Sequence, residues 1–210
     1  TNFEAMQMHL AAGDFDGDGQ AEFVLAYRGN DETLKLEVYD TDGTLIPQKR
    51  ATSADLGADA PRLPAVLASD VEEYAIAAGD VDGDGRAEIV LASVEPHTPA
   101  PSDADKGTWG VYVAVYDVNG SGSATLSRQS RASTYPSSAP SAPPARNNNS
   151  TANGIGVITG DFDGDGIDEI VYATGITRIQ NFPYDRTYLQ AVQVETPGTL
   201  SGGGFERYND

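Results

Sequence analysis

The sequence predicts an all-β protein built from three four-stranded antiparallel repeats. One pattern rich in aspartate and glycine occurs three times, and its first Asp stands at Asp14, Asp80 and Asp161. Each copy is followed by a short β-branched or aromatic segment (EFVLAY, EIVLAS, EIVYAT), which is typical of a strand. Further segments with alternating apolar residues come after intervening turn residues. Recurrence at this spacing indicates one supersecondary unit that is used several times.

The composition of the chain limits its class of partner. The 210 residues include 32 acids and 13 bases, for a net charge of −19, and the sequence has no basic patch for nucleic acid or an anionic membrane surface. Cysteine is absent, which excludes disulfides and thiolate metal sites. No run of about 18 apolar residues is present, so we expect no membrane span. The chain begins without Met and shows no signal peptide, and we expect a processed or excised piece.

The spacing Asp-x-Asp-x-Asp-Gly-x-x-Glu predicts a cation site in each copy. Alternate carboxylates in a tight turn point to one centre, and glycine at the sixth position permits the bend. Oxygen ligands with several negative charges suit Ca²⁺, whereas zinc and copper prefer nitrogen or sulfur and Mg²⁺ requires stricter octahedral geometry. The seventh residue is expected to contribute only its backbone carbonyl. The predicted ligands are Asp14, Asp16, Asp18, Gln20 and Glu22; Asp80, Asp82, Asp84, Arg86 and Glu88; and Asp161, Asp163, Asp165, Ile167 and Glu169.

Three other interpretations of the loop are an EF-hand, a dockerin and an acidic turn without metal. An EF-hand needs a bidentate Glu at position twelve, where this sequence has Leu25, Leu91 and Tyr172. The segments that follow are strands rather than an exiting helix, and the missing acid also counts against a dockerin. A solvated acidic turn without metal is the third interpretation, and three copies in one register disfavour it.

The stretch GDFDGDGQAEFVLAY resembles the FG-GAP or VCBS repeat of integrin alpha-subunit β-propellers and of many secreted bacterial proteins. The resemblance implies that the loop joins the first two strands of a propeller blade and binds Ca²⁺, which gives three sites. It also implies an extracellular location, either secreted or at the cell surface. The ninth position is Glu in every copy where the family has Asp, and the longer side chain can still reach the ion.

Each repeat is the size of one propeller blade. In the first repeat MHLAAGD and EFVLAYR flank the loop, TLKLEVYD alternates apolar and polar residues, and LIPQKRAT is an outer strand. The second repeat gives AIAAGD, RAEIVLAS, WGVYVAVYD and a weaker SATLSRQSRA. The third gives GIGVITGD, IDEIVYAT and YLQAVQVET, and its fourth strand is expected to be absent or only begun in GGGFERYND. Inner strands that are apolar on both faces indicate sheets packed between neighbouring sheets.

The predicted organisation is three blades and one linker. Closed propellers typically have four to eight blades, so three blades are part of a longer propeller, are completed by other chains, or stack in a different way. We expect a portion of a larger propeller whose other blades come from the same or another chain. The units are blade 1 at 1–68 with its loop at 14–22, blade 2 at 69–132 with its loop at 80–88, a Ser-, Pro- and Asn-rich flexible loop at 133–153, and an incomplete blade 3 at 154–210 with its loop at 161–169.

No catalytic motif is recognisable, and we expect the chain itself to be non-catalytic. We interpret His9 as a packed or rim residue and His97 as an exposed loop residue. We interpret the aromatic residues Trp109, Tyr112 and Tyr116 as inter-blade packing rather than a sugar-stacking surface. Two classes of function stay open. One is a Ca²⁺-rigidified module for adhesion or for binding protein or carbohydrate. The other is part of a secreted carbohydrate-active enzyme, a polysaccharide lyase or hydrolase, with catalytic residues partly outside this chain.

Overall fold

The computed structural model contains twelve β-strands and no α-helix in the part of the chain that it describes. That part has no helix with the length and apolarity needed to span a membrane. The described residues are 8–29, 34–40, 46–52, 54, 74–96, 109–120, 125–133, 151–177, 185–196 and 199–209.

The twelve strands form three four-stranded sheets, and each sheet is a simple antiparallel meander. The all-β prediction of three four-stranded repeats is therefore confirmed. The strands are β1 (Met8–Gly13), β2 (Glu22–Arg28), β3 (Leu34–Asp40) and β4 (Gln48–Thr52) in blade 1; β5 (Tyr74–Gly79), β6 (Glu88–Pro96), β7 (Trp109–Asn119) and β8 (Thr125–Ser133) in blade 2; and β9 (Thr151–Gly160), β10 (Glu169–Thr177), β11 (Asp185–Thr196) and β12 (Thr199–Asn209) in blade 3.

The expectation that the third repeat lacks a complete fourth strand is wrong. Strand β12 pairs with β11 from Thr199↔Thr196 to Asn209↔Asp185, with one register shift. Its Gly202–Gly204 run has no apolar alternation, so the sequence pattern contains no strand signal there. Antiparallel pairing needs only backbone donors and acceptors, and glycine supplies both.

The linker between blades 2 and 3 is shorter than predicted. Strand β8 reaches Ser133 and β9 begins at Thr151, so both ends of the predicted 133–153 loop are strand. Residues 134–150 lie outside the described residues, as do 97–108 of the Pro-rich excursion within blade 2.

The sheets stack face to face in chain order, with blade 2 in the middle. Strand β1 packs on β5, and β5 packs on β9. Each blade has a forward face, which lies toward the next blade in the chain, and a back face, which lies toward the preceding one. The forward face of blade 2 contains Ala75, Ala77, Val81, Val90 and Val115, and its back face contains Tyr74, Ile76, Ile89, Leu91 and Tyr116.

Two apolar cores result from this stacking. The first joins the forward face of blade 1, which includes Val24, Leu36 and Val38, to the back face of blade 2. The second joins the forward face of blade 2 to Ile155 and Ile170 on the back face of blade 3. The middle sheet is therefore apolar on both sides, as expected for a sheet that is covered on both faces.

Candidate metal centres

Each acidic loop is the turn of a hairpin between the two inner strands of its blade. The first loop joins β1 to β2, whose register ends at the pair Gly13↔Glu22. Two glycines in each loop have positive φ, and in the first loop these are Gly17 at 78° and Gly19 at 85°. Side chains rarely adopt this conformation. The glycine at the sixth position was predicted from the sequence, whereas the one at the fourth was missed, although all three copies contain it.

Backbone N–H groups orient the aspartates of each loop. In the first loop Asp14 accepts hydrogen bonds from Gly17 N at 2.8 Å and Gly19 N at 2.9 Å. Asp16 accepts one from Asp18 N, and Asp18 accepts one from Gln20 N. The second and third loops repeat these four bonds at the equivalent positions. The three loops therefore share one conformation in which the carboxylates are held together.

In each loop the side chain of the glutamate at the ninth position forms a hydrogen bond with the start of the loop. Glu22, Glu88 and Glu169 are buried, and Oε2 of each accepts a hydrogen bond of 2.9 Å from the backbone N–H of the second loop residue. The two partners are seven positions apart in the chain, and the longer side chain of Glu reaches across the loop to that N–H. The departure from Asp at this position thus has a structural role in holding the turn.

Burial makes the Glu88 and Glu22 carboxyls costly to ionise when no cation is nearby. Burial raises the pKa of Glu88 to about 8, the N–H of Val81 opposes this, and the charges of Asp82, Asp84 and Asp80 raise it further. The pKa of Glu22 is also raised, again chiefly by burial. A divalent cation among these groups would favour the ionised forms because it reverses the local field.

In each loop, three carboxylates offer oxygen atoms that lie within 4.8 Å of one another. Oε1 of Glu169 is buried and has no hydrogen-bond partner, the single such side-chain atom among the described residues. Buried carboxylate oxygens normally have partners, and a hard cation is a suitable one here. The three groups are Asp14, Asp16 and Asp18; Asp80, Asp82 and Glu88; and Asp161, Asp163 and Glu169.

The remaining predicted ligands lie in the same loops but outside these groups. They are Glu22, Asp84 and Asp165, together with the seventh-position residues Gln20, Arg86 and Ile167. The role of all fifteen residues as ligands stays a prediction.

The seventh position has a side-chain role that the sequence analysis did not anticipate. The Arg86 guanidinium forms an ion pair with Asp84 at 2.6 Å and lowers the pKa of that carboxyl. The Gln20 amide donates to Oδ2 of Asp18 at 3.1 Å, whereas Ile167 has no donor. The three sites therefore differ in charge, and the second has a cation of its own beside it.

The loops also form part of the contacts between blades. Ala87 N donates to Asp14 O and Asp168 N donates to Asp80 O, both at 2.8 Å, so the eighth loop residue of one blade binds the first loop residue of the preceding blade. The side chain at the seventh position lies over the fourth-position glycine of that preceding loop. Order in one loop is thus coupled directly to the position of the neighbouring blade.

Other candidate residues have structural surroundings. His9 makes an edge contact with Tyr74, with ring centroids 4.8 Å apart, which confirms it as a packed residue. Tyr116 is buried in the first core, as expected for inter-blade packing, and Tyr112 lies half-buried in strand β7. His97 and the side chain of Trp109 lie outside the described part of the structure.

Comparison with known proteins gives a family match for part of the chain. Residues 14–91 match the family model of the FG-GAP-like repeat. The matched segment begins at the first Asp of the first loop, includes the second loop and strand β5 before it, and ends within β6. No curated protein matches the chain.

Proposed function

We propose, on the premise that residues 14–91 form an FG-GAP-like repeat, that this propeller-type module binds three Ca²⁺ ions, one in each acidic loop. The observation that carries the proposal is the buried, unpartnered Oε1 of Glu169 beside Asp161 and Asp163. A cation would supply the partner that this carboxylate oxygen lacks. A set of oxygen ligands without nitrogen or sulfur favours Ca²⁺ among the common metals.

The proposed role of the ions is structural rather than catalytic. The conspicuous carboxylates are oriented by backbone N–H groups within tight turns, and the loops take part in the hydrogen bonds between blades. A cation that binds the folded loop better than the unfolded chain stabilises the fold by mass action. We therefore propose a non-catalytic module, whose rigid blades present surface loops for adhesion or for binding a protein or carbohydrate.

An extracellular location, secreted or at the cell surface, is part of the same proposal. Extracellular Ca²⁺ modules bind in the range of about 10⁻⁴–10⁻³ M, which suits the calcium level outside cells. A cytosolic chain with sites of that affinity would remain without calcium.

The proposal is tested by calcium titration of metal-free protein, with calorimetry and native mass spectrometry on the same sample. We expect three ions per chain. Asp163→Asn keeps an oxygen acceptor for the N–H of Asp165 but removes the charge, so it should reduce the count to two. Asp40→Asn is the matched control, since it makes the same charge change at a residue that pairs with Arg50 outside the loops.

Retention of three ions by Asp163→Asn would refute the assignment of the third site. No bound calcium in the unaltered chain would refute the proposal as a whole. The enzyme alternative makes a separate prediction, cleavage of polysaccharide by this chain or by a protein that contains it.

A further inference from the structure

The forward face of blade 3 has the composition of a blade interface, but no blade covers it among the residues that the structure describes. At the second loop position, Phe15 is 1% exposed and Val81 is 0% exposed because the next blade covers them, whereas Phe162 is 57% exposed. Ile158 on β9 is also exposed, although its equivalent Ala77 is buried in the second core. The residues at this end are thus those that form an interface elsewhere in the chain.

The back face of blade 1 shows the complementary situation. Leu10 is 68% exposed, whereas its equivalent Ile76 is 8% exposed because it packs on blade 1. Leu25 is half-buried, whereas its equivalent Leu91 is fully buried in the first core. Leu10 and Leu25 are directly opposite each other in the β1–β2 register and share this face. Exposed apolar surface that is continuous across strands marks an interaction site.

The hydrogen bond between blades also has its donor position at one end of the stack and its acceptor position at the other. At both internal interfaces the N–H of the eighth loop residue donates to the carbonyl of the first. The donor position of blade 1 is the exposed Ala21, and the acceptor position of blade 3 is the exposed Asp161. The glycine before the loop leaves room for the eighth side chain of the next blade at Gly13 and Gly79, and the nearby group at the equivalent Gly160 is the ring of Phe162.

We propose that two copies of this chain associate head to tail, with the forward face of blade 3 of each copy packed on the back face of blade 1 of the other. The proposed contact would repeat the two internal interfaces. The forward face of blade 3 corresponds to the forward faces of blades 1 and 2, and the back face of blade 1 corresponds to the back faces of blades 2 and 3. Two copies supply six blades, which lies within the range of about four to eight for closed propellers, whereas one copy or three copies fall outside it. A head-to-tail contact that closes forms a ring, so no apolar end is left.

The first test is the mass of the full chain in calcium-containing buffer by sedimentation velocity and light scattering. We expect a species of twice 22.1 kDa that dissociates on dilution. Leu10→Asp and Ile158→Asp each place a charge on one end face, and each should weaken dimerisation by about tenfold or more. Both residues are exposed in the single chain, so circular dichroism should show unchanged folding.

Mixing the two variants distinguishes head-to-tail pairing from other dimers. A mixed dimer has one interface free of substitutions and one with both, so the mixture should associate more tightly than either variant alone. Ile46→Asp is the matched control: Ile46 is equally exposed but lies before β4, outside the inner strands, and its substitution should leave association unchanged.

A single chain mass across the micromolar range would overturn the proposal. So would dimers that only one of the two end-face variants weakens, because a contact between identical faces needs only one of them.

Discussion

Gly13 and Gly79 lie where adjacent blades approach each other closely. A Cβ on Gly13 would come within 2.6 Å of Ala87 Cβ, and one on Gly79 would come within 2.8 Å of Thr159 Cβ as well as meeting the Asp168 carboxylate. Gly160 is the equivalent residue of blade 3, and a Cβ there would meet only the exposed Phe162 ring, at 3.3 Å. One glycine in the repeat thus has different surroundings in different copies.

Gly79→Ala should therefore destabilise the fold, whereas Gly160→Ala should not. Overpacking against a β-branched neighbour costs roughly 1–3 kcal/mol, because the adjacent blade must shift. Urea denaturation at a protein concentration that keeps the chain monomeric gives the free energy of unfolding for both variants. Equal losses of stability would show that blade proximity is not the reason for glycine at Gly79.

At the level of the strands, the inner hairpins differ mainly in how many of their faces are covered. Strand β5 is buried along nearly its whole length, whereas β1 alternates exposed and half-buried residues. Both are short and apolar with adjacent alanines. The difference arises because β5 lies between two sheets and β1 has a sheet on one side.

Leu91 and Leu25 give a matched pair of truncations on equivalent strands. Leu91→Ala leaves a cavity between blades 1 and 2 and should cost about 2–5 kcal/mol. Leu25→Ala should cost less, because this half-buried side chain has water on one side and its removal creates no enclosed cavity. Thermal or chemical denaturation of the two variants under identical conditions checks this. A larger loss for Leu25→Ala would contradict the stacking order of the blades.

For the whole molecule, the dominant feature is negative charge concentrated in three turns. Of the 32 acids, the first two loops each contribute three Asp and one Glu within nine residues, and the third contributes four Asp and one Glu because it also contains Asp168. Repulsion within a loop opposes its compact form, and cations relieve it. The loops also hydrogen-bond the neighbouring blade, so relief of repulsion should stabilise the stack as well as each turn.

Chelation of calcium should lower the melting temperature and loosen the acidic loops before the outer strands. A site at a hundredfold excess of ligand over its dissociation constant contributes about 2.7 kcal/mol. Differential scanning calorimetry gives the melting temperature, and hydrogen exchange with and without chelator gives the order of opening. Unchanged melting in chelator, together with no metal by mass spectrometry, would contradict a structural role for calcium.

The sequence alone determined the local features of this protein. The loop spacing identified the acidic turns, and apolar alternation identified β3, in which Leu34, Leu36 and Val38 are buried. These features were predictable because turn chemistry and strand periodicity depend on adjacent residues. Strand β12 was missed, because a glycine-rich strand that pairs through its backbone leaves no side-chain pattern.

The tertiary structure alone decided which copy of each repeated residue is covered. Phe15 and Phe162 have the same neighbours in sequence and the same loop conformation, yet one is buried and the other exposed. It also decided that the Glu88 carboxylate is buried. The physical reason is that burial and its electrostatic consequences depend on the next blade in the stack, and the residues that meet there are distant in the chain.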